Sequence, residues 1–294
     1  MMKTRTCLNK ASLVAFFLIF LATGLMSPIA FAKETNSIRL GIISLAPPSK
    51  VYAQWQNFSD YLSGQIGQPV EIVVPRGFKK IKAAVEEKTV DIFYVNSHIF
   101  YRLKQAGHAK ALAQMENLNG SATSKSVIFA RKSSHINSLG DLMGQKVAFV
   151  APMGAGGYLA PRALFNHQGI NTKTQLQEEF TKNLSSSIHK VLLGDVKAGT
   201  MCGLNFDLMS KRIETGDLEV IAESDDYPEN VIGIRADINK NVMEKLRKII
   251  VNMDKDTEGK EILRSMSKMK IKRFVSYDEN IEKITMKLLS EGNF

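Results

Sequence analysis

The sequence predicts an α/β fold built as two successive units. Three observations predict it. Short apolar, strand-like runs alternate with amphipathic helical stretches along most of the chain. A small-residue loop, Pro152-Met153-Gly154-Ala155-Gly156-Gly157, joins a strand to a helix. The first 32 residues read as an address rather than as part of the fold. A length of 294 residues allows one or two domains, and 44% hydrophobic with 23% charged residues supports a globular core. The 20 Gly and 8 Pro exclude collagen-like and linker-dominated chains, and two Cys exclude a disulfide scaffold.

The address has the three parts of a secretory signal. Lys3, Arg5 and Lys10 form a positive start, Ala11 to Met26 is apolar, and Ala30-Phe31-Ala32 offers a small-x-small cleavage site. Cleavage after Ala32 would remove Cys7 and leave Cys202 as the lone cysteine of a periplasmic product. It would also remove three basic residues from the formal charge of +10. Later apolar runs all fall short of the roughly 20 residues of a membrane span. The remaining Lys and Arg are scattered among Asp and Glu. The richest stretch, Lys268, Lys270, Lys272 and Arg273, reads as a solvated strand edge or loop, and export argues against nucleic acid as a partner.

The elements follow in order. Ile38 to Ser44 is a buried strand, stopped by Pro47-Pro48, with Ser49 able to cap a helix. In that helix Val51, Trp55, Phe58, Leu62 and Ile66 make one apolar stripe, closed by Gly67. Val70 to Val74 is the next strand, and Phe78, Ile81 and Val85 mark the next helix. Val90 to Val95 is a strand, Ser97 to Ala106 a helix and Ala111 to Met115 a short strand, giving βαβαβαβ on a largely parallel sheet. Strands at Ser126 to Ala130 and Lys146 to Val150 open the second unit. A helix from Gly157 to His167 tolerates Pro161 in its first turn, and another helix begins at Ser185. Ala198 to Gly203, Leu218 to Ser224 and Val231 to Ala236 read as strands. Helices at Lys240 to Met253, Lys260 to Met266 and Tyr277 to Leu289 close the chain.

The glycine-rich loop carries the most chemistry. Its backbone N–H groups lie at the positive end of a helix dipole, which suits an anion, whereas a tight turn needs the same small residues for packing alone. A dinucleotide fingerprint would require a small residue where Leu159 stands. The motifs G-x-S-x-G, H-E-x-x-H and G-x-x-x-x-G-K-[ST] are absent, so no enzyme class is indicated. His98, His108, His135, His167 and His189 lack metal-pair spacing. Met201 and Cys202, with Met115, Met143 and Met153, could form a soft site, but core Met and a buried thiol explain them without a metal.

An ordered set of motifs carries a family resemblance. Trp55-x-x-Phe58-x-x-Tyr61-Leu62, Val90-Asp91-Ile92, Ser126-Val127-Ile128, Ser138-Leu139-x-Asp141-Leu142-x-Gly144-x-x-Val147-Ala148-Phe149 and Ser224-x-x-Tyr227-Pro228 occur in that order. The chain thereby resembles the phosphate/phosphite/phosphonate-type solute-binding proteins of ABC transporters. The resemblance implies a two-lobe periplasmic binding fold (type 2-like) with two crossover strands and a central ligand cleft. Residues 38–128 would begin lobe 1, 129–222 would form lobe 2, and 223–294 would return to lobe 1, with crossings near Lys125–Arg131 and Val220–Asp226. It implies a monomer without cofactor, metal or catalysis, serving an ABC permease in the inner membrane or, alternatively, a sensor kinase.

The same resemblance supplies the expected ligand set. The family's Ser-Thr-Ser-Gly anion motif corresponds to Gly154, Ala155, Gly156 and Gly157. A Tyr usual before the first crossover falls at Ser124, a His at Leu184 and an Asp at Lys197. Asn96, Ser97 and His98 stand where the family's first lobe faces the cleft, although Asn96 or Ser97 could equally cap a helix. Two ligand classes stay open. One is an anion held by the loop backbone with Ser185, Ser186, Ser187 and Lys197. The other is a larger, less polar molecule between Phe78, Tyr94 and Met153.

Overall fold

Strand and helix alternate from the first described residues. The computed structural model describes residues 37–43 and 46–294, and the expected signal segment, residues 1–32, lies outside them. Strand β1 (Ile38–Ile42) leads to helix α1 (Pro48–Ile66), whose Val51, Trp55, Phe58 and Leu62 are the buried stripe that the spacing predicts. Gly67 ends α1 in the left-handed conformation, φ 74°, and returns its N–H to the Ser63 carbonyl. Then come β2 (Val70–Val73), α2 (Phe78–Glu86), β3 (Ile92–Val95), α3 (Ser97–Gln105) and β4 (Ala109–Asn117).

The chain crosses at β5 (Thr123–Ser124) into a second sheet. That half contains β6 (Ser126–Arg131), β7 (Lys146–Phe149), α4 (Ala160–His167), α5 (Thr172–Gln175), β8 (Gln177–Phe180), α6 (Leu184–Leu193), β9 (Ala198–Cys202), α7 (Gly203–Ser210) and β10 (Leu218–Glu223). It returns at β11 (Tyr227–Pro228), which pairs antiparallel with β5. Strand β12 (Val231–Arg235), α8 (Lys240–Val251), α9 (Thr257–Met266), β13 (Ile271–Val275) and α10 (Asn280–Glu291) complete the first half. The fold is therefore a two-lobe α/β architecture. One lobe holds a six-stranded sheet of order β13-β4-β12-β3-β1-β2, the other a five-stranded sheet of order β10-β6-β9-β7-β8. No helix among the described residues is long and apolar enough to cross a membrane.

The first sheet departs from the largely parallel βαβαβαβ arrangement. β1, β2 and β3 are parallel, but β4 does not pair with β3. The returning β12 lies between them and runs antiparallel to both. A chain that leaves after β4 and comes back from the other lobe can fill that gap only in this sense. β4 is also longer than the run Ala111 to Met115, because β13 pairs along its other edge and extends the ladder to Asn117. Strand β6, which the expected boundary at 128/129 divides, lies wholly in the second sheet, and the paired crossing is at 123–124 and 227–228.

Both faces of each sheet are covered, as parallel strands require. In the first lobe Leu40, Phe58, Leu62, Leu246, Met266 and Phe274 form one core cluster, while Ile81, Phe93, Phe100 and Leu103 form another. In the second lobe Phe149, Leu159 and Phe165 stand apart from Phe129, Ile188 and Val191 in the same way. Each such side chain contributes about 1.5–3 kcal/mol by burial. One ionic knot fixes strand order. Asp91, just before β3, accepts from the Arg39 backbone N–H and Nε at 2.8 Å and from Arg39 Nη2 at 2.8 Å, while Arg235 Nη1 of β12 lies 3.2 Å away. Burial opposes its charge, yet Arg39 and Arg235 hold the carboxyl below the ordinary aspartate range.

Candidate functional site

Strand ends from both sheets open on one cavity of about 300 Å³. The first lobe contributes Gln54 and Trp55 from α1, Gly77 and Phe78 at the start of α2, Tyr94, Asn96 and Met115. The second contributes Val150, Ala151, the loop Gly154–Gly157, Leu184, Met201, Cys202 and Asn205. The crossover and its continuation add Tyr227, Glu229 and Asn230, and the turn before β13 adds Met269 and Lys270.

The glycine loop has a wide first turn, and Pro161 gives a reason for it. Residues Ala155–Leu159 form one π-type turn ahead of α4. Pro161 has no N–H to return to the carbonyls one turn earlier. Those carbonyls are served from outside instead. Ser126 Oγ donates to the Gly156 carbonyl at 2.7 Å, and Thr200 Oγ1 donates to the Gly157 carbonyl at 2.9 Å. Intrahelical bonding begins at the Tyr158 and Leu159 N–H groups, both directed at the Gly154 carbonyl. The N–H groups of Ala155, Gly156 and Gly157 therefore have no acceptor within the helix.

The glycines also answer to packing. A Cβ on Gly156 would lie 2.2 Å from the Tyr227 hydroxyl and 3.0 Å from Cys202 Cβ, and one on Gly157 would lie 2.8 Å from Val150 Cβ. The space at Gly156 is thus filled by Tyr227, and it is not room for a larger ligand as the glycines alone suggest.

The predicted residues divide. Phe78, Tyr94, Asn96, Gly154, Ala155, Gly156 and Gly157 line the cavity. Met153 is not on its wall. Its backbone is left-handed, φ 68°, and its carbonyl accepts from Asn96 Nδ2 at 3.4 Å across the lobes. Ser97 is buried and donates to the Pro228 carbonyl at 3.2 Å, so neither Asn96 nor Ser97 caps α3 through its side chain. Asn96 Oδ1 is buried and has no partner. Ser124 lies in the crossover, where its hydroxyl donates to Glu229 Oε1 and accepts from Asn117 Nδ2 at 3.2 Å. It positions a wall residue instead of forming the wall.

Ser185 and Ser186 serve the helix, not the cavity. Asn183 caps α6 by accepting from the Ser186 N–H at 2.8 Å, and Ser185 Oγ lies 3.2 Å from the same Oδ1. Ser187 is buried under the helix and Lys197 is exposed; neither lines the cavity.

Sequence reasoning missed the charged centre. Lys270, left-handed at φ 68°, brings Nζ to 3.3 Å from Cys202 Sγ and 3.7 Å from Glu229 Oε1. Burial works against the ammonium charge, but Glu229, with Cys202 and Tyr94 beside it, holds Lys270 above the usual lysine range. Burial pushes the Tyr227 hydroxyl well above the usual tyrosine range, and neighbouring Cys202 and Glu229 push it the same way. Trp55 packs against Tyr94 with ring centroids 4.7 Å apart and a 49° tilt, and Tyr94 donates to Met115 Sδ at 3.0 Å. The wall thus offers one ammonium, one carboxylate, amide groups, backbone N–H groups and an apolar aromatic side. The described residues His167, Asp225 and Glu291 form the one cluster with metal-like spacing, away from this cavity, and Lys287 occupies it with Nζ 2.7 Å from Asp225.

Comparison with known proteins agrees with this geometry. A family model described as the periplasmic phosphonate substrate-binding protein of an ABC transporter matches residues 40–280. The phosphonates-binding periplasmic protein of Escherichia coli K12 is 22% identical over 256 residues, covering 85% of this chain and 76% of its own. The tetrathionate sensor histidine kinase TtrS of Salmonella typhimurium LT2 is 26% identical over 167 residues, which is 55% of this chain; the match spans only 28% of the kinase. Among solved structures, PhnD1 from Prochlorococcus marinus in complex with methylphosphonate superposes with a TM-score of 0.76 at 18% identity, over 88% of this chain and 99% of PhnD1. With two lobes, paired crossovers, a cleft at the strand ends and a family match along most of its length, the chain belongs to the phosphonate-type periplasmic substrate-binding proteins of ABC transporters.

Proposed function

We propose that this chain is exported by a cleaved signal segment and works as a monomeric solute receptor for an ABC permease, without catalysis. Its lobes close on a small anionic or polar solute by hinge motion about the paired crossovers. One observation carries the reading: the cavity is walled by both lobes, and Asn96 brings an unpartnered buried carboxamide oxygen to it. A buried acceptor without a partner costs about 1–3 kcal/mol, and an N–H or O–H donor on a bound solute, or a water, would relieve that cost. Backbone N–H groups of Ala155–Gly157 and the Lys270 ammonium support an anionic end for the solute, and Trp55, Phe78 and Tyr94 support an apolar side. Names of the relatives point to phosphonates.

Thermal unfolding with phosphate, methylphosphonate, aminoethylphosphonate, sulfate and carboxylates tests the reading. A ligand at 100 times its Kd adds about 2.7 kcal/mol of stability. The expected result is a shift with at least one anion that Asn96→Ala diminishes. A protein unmoved by every member of the panel would defeat the reading.

The match to the tetrathionate sensor kinase favours a second reading, in which the ligand-bound form signals to a membrane kinase. A neighbouring gene for a kinase, and no neighbouring permease genes, would decide for it.

A further inference from the structure

Sulfur is concentrated at the cavity. Met115 from β4, Met201 and Cys202 from β9, and Met269 from the turn before β13 all line it. Met143, exposed, and Met153, off the wall, do not join them. No Ser or Thr is on the wall. Of its two phenols, Tyr94 donates to Met115 Sδ at 3.0 Å, and Tyr227 is buried beside Cys202 and Ser124. The charged wall residues are Lys270 and Glu229, one of each sign.

We infer that the cleft selects a weakly hydrated anion presenting sulfur as well as oxygen, in preference to phosphate or a simple phosphonate. The inference rests on the anion reading above and narrows its ligand class. A strongly hydrated oxyanion enters a buried site only where many donors replace its water. This wall supplies a single ammonium, already facing a carboxylate, a few amides and the loop N–H groups. A sulfur-bearing anion surrenders less hydration. Its polarizable atom meets the Met269 thioether and the Cys202 thiol by dispersion, with Met115 and Met201 lying beneath them without exposed surface.

The same sulfur atoms suit a soft metal cation in principle, but Lys270 Nζ stands 3.3 Å from Cys202 Sγ and places positive charge where that cation would sit.

Isothermal titration with sulfur-for-oxygen pairs tests this: thiosulfate against sulfate, and thiophosphate against phosphate. Each pair keeps tetrahedral shape, and a pH above the second ionisation of both phosphates keeps charge equal as well. The expected result is that the sulfur member binds at least about tenfold more tightly, a difference of about 1.4 kcal/mol. Met269→Leu and Cys202→Ser, each verified as folded by circular dichroism, should narrow that ratio at least about threefold. Equal affinity within each pair, or preference for the oxygen member, overturns the inference and leaves the anion reading standing. Silence from all four anions overturns both. Stoichiometric Cu(I) binding without anion binding replaces the inference with a soft-metal site.

Discussion

His98 should make this protein acid-sensitive well above the usual carboxylate range. It lies in the first turn of α3 with no exposed surface, and neither ring nitrogen has a hydrogen-bond partner. Burial, with a contribution from the Arg102 charge, pushes its pKa down to about 3. An unfolded chain restores it to about 6.5. Because the folded value is the lower one, protons bind the unfolded chain more readily between the two values, and stability falls as pH drops below about 6.5. Integrated over that window, the loss from pH 7 to pH 5 is about 2 kcal/mol. The other four histidines are exposed, so they largely cancel when the protein is compared with His98→Leu.

Urea unfolding reads the difference directly. Trp55, the single tryptophan, is buried and packed on Tyr94, so its fluorescence reports loss of the first lobe. The expected outcome is a pH-dependent loss in the wild type that His98→Leu abolishes. The variant should also be no less stable than the wild type at pH 5, since it removes two unpaired buried nitrogens. Identical pH slopes in the two proteins would refute the argument, for they would mean that the imidazole is hydrated or paired.

Two further predictions concern packing and charge. Gly156→Ala pushes a Cβ against the Tyr227 hydroxyl, and neither side yields easily, since Ser126 holds the Gly156 carbonyl and Tyr227 is buried. It should cost about 1–3 kcal/mol in urea unfolding, and Tyr227→Phe should relieve about 1 kcal/mol of that; strict additivity would disprove the contact. Asp91→Asn should cost about 3 kcal/mol by leaving Arg235 and Arg39 without their carboxylate. In the wild type the Asp91 contribution is complete above the unfolded value near 3.9 and is lost as pH falls through the lower folded value, so the gap between the two proteins should close as acid titration passes below that folded value.

How much was legible follows from which residues carry local signals. The α1 stripe, the strands with continuous apolar runs and the glycine loop are written in short-range pattern, and they appear within a few residues of the expected places. Strand β8 is Gln177-Glu178-Glu179-Phe180, a polar edge strand with one neighbour, so its pattern resembles a loop. Strand β13 reads only as a strand edge or loop, because Lys272 and Arg273 look like solvated charge until they meet Glu116 on β4. The wall residues were least legible. Trp55 reads as core because it is core; its second role at the cavity has no separate spacing. Lys270 and Glu229 lie 41 positions apart, on either side of α8 and α9, and only the return of the chain through β11 and β12 brings them to one place. No local pattern encodes such a meeting.

The exchange of hydroxyl residues for glycine therefore has a structural account. At Gly156 the volume of a side chain belongs to Tyr227, a crossover residue, which occupies it with its phenol. Donors lost from the loop are not replaced within the loop. The fixed charge at the cavity comes instead from Lys270 before β13 and Glu229 beside the crossover, and an unpartnered amide oxygen from Asn96 before α3. On the proposed reading, the side-chain charge that would meet a ligand therefore belongs to the first lobe and the hinge, and the second lobe's helix start offers backbone N–H groups alone. A ligand that draws Lys270 away from Glu229 and Cys202 acts on the same buried cluster that holds Tyr227 against the loop. Binding and hinge closure are then coupled through contacts already made, and a substitution at Lys270, Cys202 or Tyr227 should change both together.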